Sequence, residues 1–306
     1  MCAGQGPTPR NRGFALGLEP PEWENMSLPP AHILSHLTDA HCHPTDLAHL
    51  QSTYDDVPLG GLGAMSTIPE DQERVTELSQ HRGWLSSASS SASRPPGPKV
   101  VACFGYHPWF VHRYTLLDPP PHKHEHYTSI FFPDQSVSSP PSKNFTLLQT
   151  LLPYLPDPIP FAPLLDRLRT DITTSRDRGC LTMEKVVDPG GTAGDEGGAT
   201  ELEWKRLTPF KTSMAHQRML VEKQLEVAIE FGVNVSFHSV AAPGPSLDVL
   251  ISMRNKHRGR FTNRVNVDIH SGGGWSGEFW AQAERESGVG SGGVDREVQS
   301  VAGRGA

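Results

Sequence analysis

The sequence shows little apolar character at its start, no long apolar run, no closely spaced cysteines and no excess of positive charge. Its opening residues, MCAGQGPTPRNRGFALGLEPPEWENMSLPP, contain nothing like the apolar h-region of a signal peptide. No stretch of about 18 apolar residues occurs anywhere, so a helical membrane span is not expected. Cys2, Cys42, Cys103 and Cys180 lie far apart and make no CxxC spacing. They read as reduced thiols in a cytoplasmic or nuclear protein rather than as a disulfide framework. The formal charge is −7 and the isoelectric point about 6.1. A long basic track for nucleic acid is therefore absent, and any contact with a polyanion must be local or made through metal ions.

What is present suits one large domain. With 306 residues there is room for a single (β/α)₈ barrel of about 250 residues plus insertions. The 29 glycines and 28 prolines cluster in low-complexity stretches. Residues 1–36 form a Pro-rich lead-in, with insertions expected near 86–98, 118–144 and 188–200 and a Gly-rich disordered tail at 284–306. Between them, at 37–283, short apolar runs alternate with helical patterns. Strands are expected at 36–43, 62–68, 99–106, 180–186, 233–238 and 264–270. Helices are expected at 70–81, 161–176, 214–231, where Gly232 supplies the stop, and 247–257. This alternation argues for a parallel sheet covered by helices. Only 36 residues follow His270, too few for two more strand–helix units of about 30 residues per βαβ. The expected fold is thus α/β, a TIM-barrel-like arrangement truncated after about six strands.

The chemistry sits at strand ends. Asp39, His41 and His43 fall at period two and so share one face of a strand, with Cys42 turned away. A lone HxH is a modest signal, but it recurs. Strand five ends in His238, with Asn234 and Ser236 on the same face. Strand six ends in His270, with Asn266 and Asp268 on the same face, and Glu184 lies near the end of strand four. Fifteen histidines would put one or two at strand ends by chance, not four beside a glutamate. In a parallel barrel this is the end where active sites are built. Four imidazoles and a carboxylate suit a first-row metal such as Zn²⁺, Mn²⁺, Fe²⁺ or Co²⁺. More ligands than one ion needs suggest a pair of ions about 3.5–4 Å apart.

The segments TDAHCHPTD, CFGYHPWF, MEKVVD, VSFHSV and DIHSGG occur in this order from about residue 37 to 280. They resemble the motifs of the TatD family of metal-dependent deoxyribonucleases, within the amidohydrolase superfamily, and especially its fungal cut-nine-interacting branch. The resemblance implies a TIM barrel, two divalent ions (Zn, Mn, Mg or Co) and hydrolysis of DNA phosphodiesters by metal-activated water. By the same resemblance His41 and His43 bind one ion, Glu184 bridges both with a catalytic role, and His238 and His270 bind the second. His107, in GYHP, corresponds to a pocket histidine for substrate or orientation. Two departures stand out. The family's Gly-Glu-x-Gly-Leu-Asp is here Met183-Glu184-Lys185-Val186-Val187-Asp188. Its final Thr-Asp-x-Pro has no counterpart, Asp295 in the Gly-rich tail being a poor substitute. General-base help is typically worth about 10²–10⁴-fold, so its loss predicts weakened turnover.

Two other readings follow from the same residues. One is hydrolysis of a small amide, lactone or ester on a similar ligand set. The other is a catalytically impaired barrel acting as an interaction scaffold, with Pro/Ser-rich insertions binding a protein partner. Three further features are expected to be structural. The basic stretch 254–264 should be a solvated turn at the barrel bottom, His122, His124 and His126 a solvated insert, and Trp275, Phe279 and Trp280 core on the last helix. Trp109 and Phe110 could stack on a base or pack at the barrel mouth.

Overall fold

Short runs of two to six residues, most of them separated by helices, become strands that pair only in parallel among the described residues. The structure, a computed structural model, describes residues 27–46, 57–83, 97–134, 142–176, 181–182, 184–186, 209–239, 242–270 and 275–288. In chain order the elements are α1 (Ala31–Leu34), β1 (Thr38–Cys42), β2 (Gly61–Met65), α2 (Pro69–Arg82), β3 (Lys99–Phe104), β4 (Tyr114–Thr115), α3 (Lys123–Phe131), α4 (Lys143–Leu151), β5 (Ile159–Pro160) and α5 (Phe161–Arg176). There follow β6 (Leu181–Thr182), β7 (Glu184–Val186), α6 (Met214–Phe231), β8 (Val235–Ser239), α7 (Pro243–His257), α8 (Gly259–Thr262), β9 (Val267–His270) and α9 (Gly277–Ser287). No helix among the described residues is long and apolar enough to cross a membrane.

The strands form one sheet in the order β1-β2-β3-β6 and a second in the order β7-β8-β9, with β4 and β5 paired apart. The α/β class with parallel strands is therefore observed. The described strands do not close into a barrel, because β1 and β9 are outer strands with no pairing between them. The core lies between the strands and helices α2, α5, α6 and α7. Phe104 and Phe237 are fully buried there with Phe161, Leu168, Leu220, Val249 and Phe261. Helix α6 begins at Ser213, whose hydroxyl accepts from the His216 N–H. It stops at Gly232 in the left-handed region, φ 62°, as the glycine predicted. The last helix follows Trp275, which is buried and packs with Leu247, Ile251, Ile269, Phe279 and Trp280, so of the three expected core aromatics Trp275 is core and Phe279 and Trp280 are partly buried against it. The basic stretch leads into the start of β9, the end of that strand remote from His270.

Two expectations are corrected. Strict alternation in β1 fails, because Asp39 pairs with Leu62 but Cys42 with Ala64, a bulge between them. Its tight spot is Gly63, where an added Cβ would lie 2.6 Å from the Ala40 carbonyl oxygen. The Asp39 carboxylate takes the backbone N–H of His41 at 3.0 Å instead of continuing a simple period-two face. The second correction is the insertion at 118–144, which is not all solvated loop. Helix α3 carries Tyr127 and Ile130 into a small core with Leu148 and Phe210. His126 is buried, its Nε2–H donating to the His112 carbonyl at 2.7 Å. An amphipathic helix with a satisfied polar edge is a better use of these residues than exposure. The stretches 84–96 and 187–208 and the termini 1–26 and 289–306 lie outside the described residues, as do Cys2, Cys180 and Asp295.

Two predictions follow from this packing. Gly63→Ala must push apart β1 and β2, so it should lower unfolding stability by about 1–3 kcal/mol; denaturant titration measures this. Burial lowers the pKa of His112 to about 3 and of His216 to about 4, and lowers that of His126. These groups stay neutral when folded but take protons near pH 6.5 when unfolded. Their contribution is complete above that pH and is lost as pH falls toward the folded values. The urea midpoint should therefore drop between pH 7.5 and pH 5, and His216→Gln should drop less.

Candidate metal centre

Five histidines from four parts of the chain meet at the C-terminal ends of the strands. The rings of His41 and His43 are 5.1 Å apart and edge-on, those of His238 and His270 are 5.0 Å apart and edge-on, and His41 stacks on His270 at 3.5 Å. His107 completes the group, 5.5 Å from both His43 and His238. His107 is buried and the other four are half-buried. The in-register pairing of β8 and β9 sets His238 beside His270. Below them Ser236 pairs with Asp268, and Asn234 accepts hydrogen bonds from the backbone and side chain of Asn266.

Hydrogen bonds decide what each imidazole can offer. His43 Nδ1 lies 3.2 Å from the Met65 carbonyl, which can only accept, so Nδ1 carries the proton and Nε2 the lone pair. His41 Nδ1 lies 3.1 Å from Ser236 Oγ, whose own hydroxyl donates to Asp268 Oδ2 at 2.8 Å. This again puts the proton on Nδ1 and a lone pair on Nε2. His107 is the reverse: its Nδ1 accepts from the Trp109 N–H at 3.1 Å, so in the neutral ring Nε2–H is a donor.

The segment holding His107 is clamped from several sides. Gln72 Nε2 donates to the Gly105 carbonyl at 2.7 Å, the Tyr106 N–H donates to Gln224 Oε1 at 3.0 Å, and the His107 N–H donates to the Thr67 carbonyl at 2.8 Å. Tyr106 Oη closes the set on the Leu164 carbonyl. Thr67 also donates to Asp46, tying the segment after His43 to the end of β2. Phe110 is buried whereas Trp109 is 52% exposed beside His107, their rings 4.5 Å apart. The two aromatics left open by the sequence thus divide into one core residue and one surface residue.

Two imidazoles on one tetrahedral ion, at metal–nitrogen distances of about 2.0–2.1 Å, have ring centroids roughly 5 Å apart. Both edge-on pairs have that spacing, and His41 and His43 carry their lone pairs on the same kind of nitrogen. The donor set therefore fits divalent first-row cations. Stacked parallel rings, as in His41 and His270, aim their in-plane lone pairs side by side and cannot share one ion. Accordingly, no three His, Cys, Asp or Glu among the described residues are grouped tightly enough to hold one ion. Glu184 lies in β7, level with Phe237, with Lys185 level with His238. Its side chain lies outside the described residues. Cys42 bonds the Gly63 carbonyl, and burial first, then Asp39, raises its thiol pKa to about 12, which suits a structural thiol. Sequence reasoning placed Ser236 and Asp268 on the correct face but assigned them no part. The Ser-x-His and Asp-x-His spacings at the ends of two neighbouring strands were the available signal.

No family model matches the chain. The chain is similar to the Cut9-interacting protein scn1 of Schizosaccharomyces pombe. The two are 30% identical over 212 residues, which is 67% of this chain and 55% of scn1. The chain thus spans about half the length of the curated relative it matches.

Proposed function

We propose that the protein is a divalent-metal-dependent hydrolase of the TatD type, built on an incomplete TIM-like barrel and acting on DNA phosphodiesters. The observation that carries this reading is the convergence of five imidazoles at the carboxyl ends of parallel strands, where barrel enzymes build active sites. Two ions, one at His41 and His43 and one at His238 and His270, would account for the two edge-on pairs. Such ions activate water and draw charge from phosphoryl oxygens. The chain's own residues do the rest. His43 and His41 are held with the lone pair on Nε2. His107, fixed by the Trp109 backbone, presents a proton where an anionic oxygen of the substrate would lie. The exposed indole of Trp109 beside it offers a face for a base next to the scissile phosphate, which favours nucleic acid over a small amide or ester.

A second reading has one observation in its favour: scn1 is named for interaction with Cut9. Under that reading the fold is a scaffold for a protein partner and the imidazoles are a remnant.

Two experiments separate the readings. The double variant His41→Ala, His43→Ala should bind fewer divalent ions per chain than the parent after dialysis against Mn²⁺ or Zn²⁺, measured by elemental analysis. Unchanged stoichiometry would remove this pair as a ligand set. On a panel of single- and double-stranded DNA and small esters with Mn²⁺ or Mg²⁺, cleavage should appear on DNA, vanish with chelator and return with metal. In the same assay His107→Ala should lower kcat by about 10²–10³-fold, the loss expected for one preorganised donor, with metal content unchanged. Absence of cleavage on every substrate would favour the scaffold.

A further inference from the structure

We infer that Asp268, acting through Ser236, is a positioning residue that holds the His41 imidazole in a single tautomer with Nε2 facing the site. The consequence for a bound cation rests on the hydrolase reading; the tautomer itself does not depend on it.

The order of donors is forced. Asp268, as a carboxylate, can only accept, so the 2.8 Å contact uses the Ser236 hydroxyl proton. Ser236 Oγ then has only lone pairs for His41 Nδ1, 3.1 Å away, and that nitrogen must be the donor. Ser236 is buried at 7% exposure while Asp268 is exposed, so the negative charge remains hydrated and only its direction is transmitted inward. Register makes the pair: Ser236 and Asp268 are partners on β8 and β9, one rung below His238 and His270. His43 reaches the same tautomer through the Met65 backbone carbonyl, which no side-chain substitution removes. His41 depends on two side chains from strands that do not pair with its own.

The test reads the tautomer directly, in the full chain without metal. Two-bond ¹H–¹⁵N spectra, with the His41 signals assigned by their loss in His41→Gln, should show the Nδ1–H form. Ser236→Ala and Asp268→Ala should mix in the Nε2–H form, while Ser236→Thr restores the parent pattern and His43 is unaffected throughout. Asp268→Asn, a substitution at an exposed site, serves if Ser236→Ala fails to fold. Its amide can donate to Ser236 and let the hydroxyl point back at His41, so the Nε2–H form should again appear. With Zn²⁺ added, affinity at one of the two sites should fall about 10–100-fold in Ser236→Ala, the usual effect of losing such a partner. A His41 tautomer identical in the parent, Ser236→Ala, Asp268→Ala and Asp268→Asn overturns the inference. If the tautomer shifts as described but the parent binds no Zn²⁺, the positioning role stands and the hydrolase reading fails.

Discussion

The constraint on which most of this molecule depends is the parallel, in-register pairing of β8 with β9. It sets three polar rungs in line, Asn234 with Asn266, Ser236 with Asp268 and His238 with His270. The residues between them, Val235, Phe237 and Val267, are buried in the core on the other side, with Ile269 partly buried against it. A slip of one residue would exchange the two sets and bury the polar rungs in an apolar core. Core packing and site geometry are therefore specified by one register. From β1, His41 then reaches across to stack on His270 and bond Ser236, joining β1 to β9 and β8 by side chains although no ladder joins them among the described residues.

Helices α2 and α6, which carry Gln72 and Gln224, show how a site can be held by buried polar groups. Gln72 and Gln224 are nearly inaccessible, and each uses its amide to hold one peptide of the segment 105–106. An unpaired amide at such depth would be destabilising, so pairing makes the backbone position unique. The consequence is a His107 whose donor nitrogen is settled by the Trp109 N–H, opposite in sense to His41 and His43. Imidazoles with identical chemistry thus acquire different roles from their second hydrogen bond.

Away from the site, the Pro- and His-rich insertion acquires structure because one edge of α3 is apolar and its buried histidine has a carbonyl to bond. Tyr127, Ile130, Leu148 and Phe210 form a satellite core distinct from the main one. The neutral imidazoles of His112, His126 and His216 gather nearby, with His126 and His216 rings 5.9 Å apart. They link the fold's stability to acidity, independently of the five at the strand ends.

From residue types alone, the α/β alternation, the helix stop at Gly232 and the grouping of His41, His43, His238 and His270 at strand ends were all legible. Each rests on local periodicity or on backbone freedom, which a linear pattern expresses. The bulge opposite Gly63 was not legible, because it arises from the approach of one backbone to another. Nor were the burial of His126, the division of Trp109 from Phe110, or the tautomers of the imidazoles, since a hydrogen bond between residues 41 and 236 has no trace in either neighbourhood. The sequence by itself determined which side chains face the same way along β8 and β9, where no bulge interrupts the alternation. Only the tertiary structure decided which of them touch, because contact depends on register and strand order, and those are settled by the packing of the whole chain.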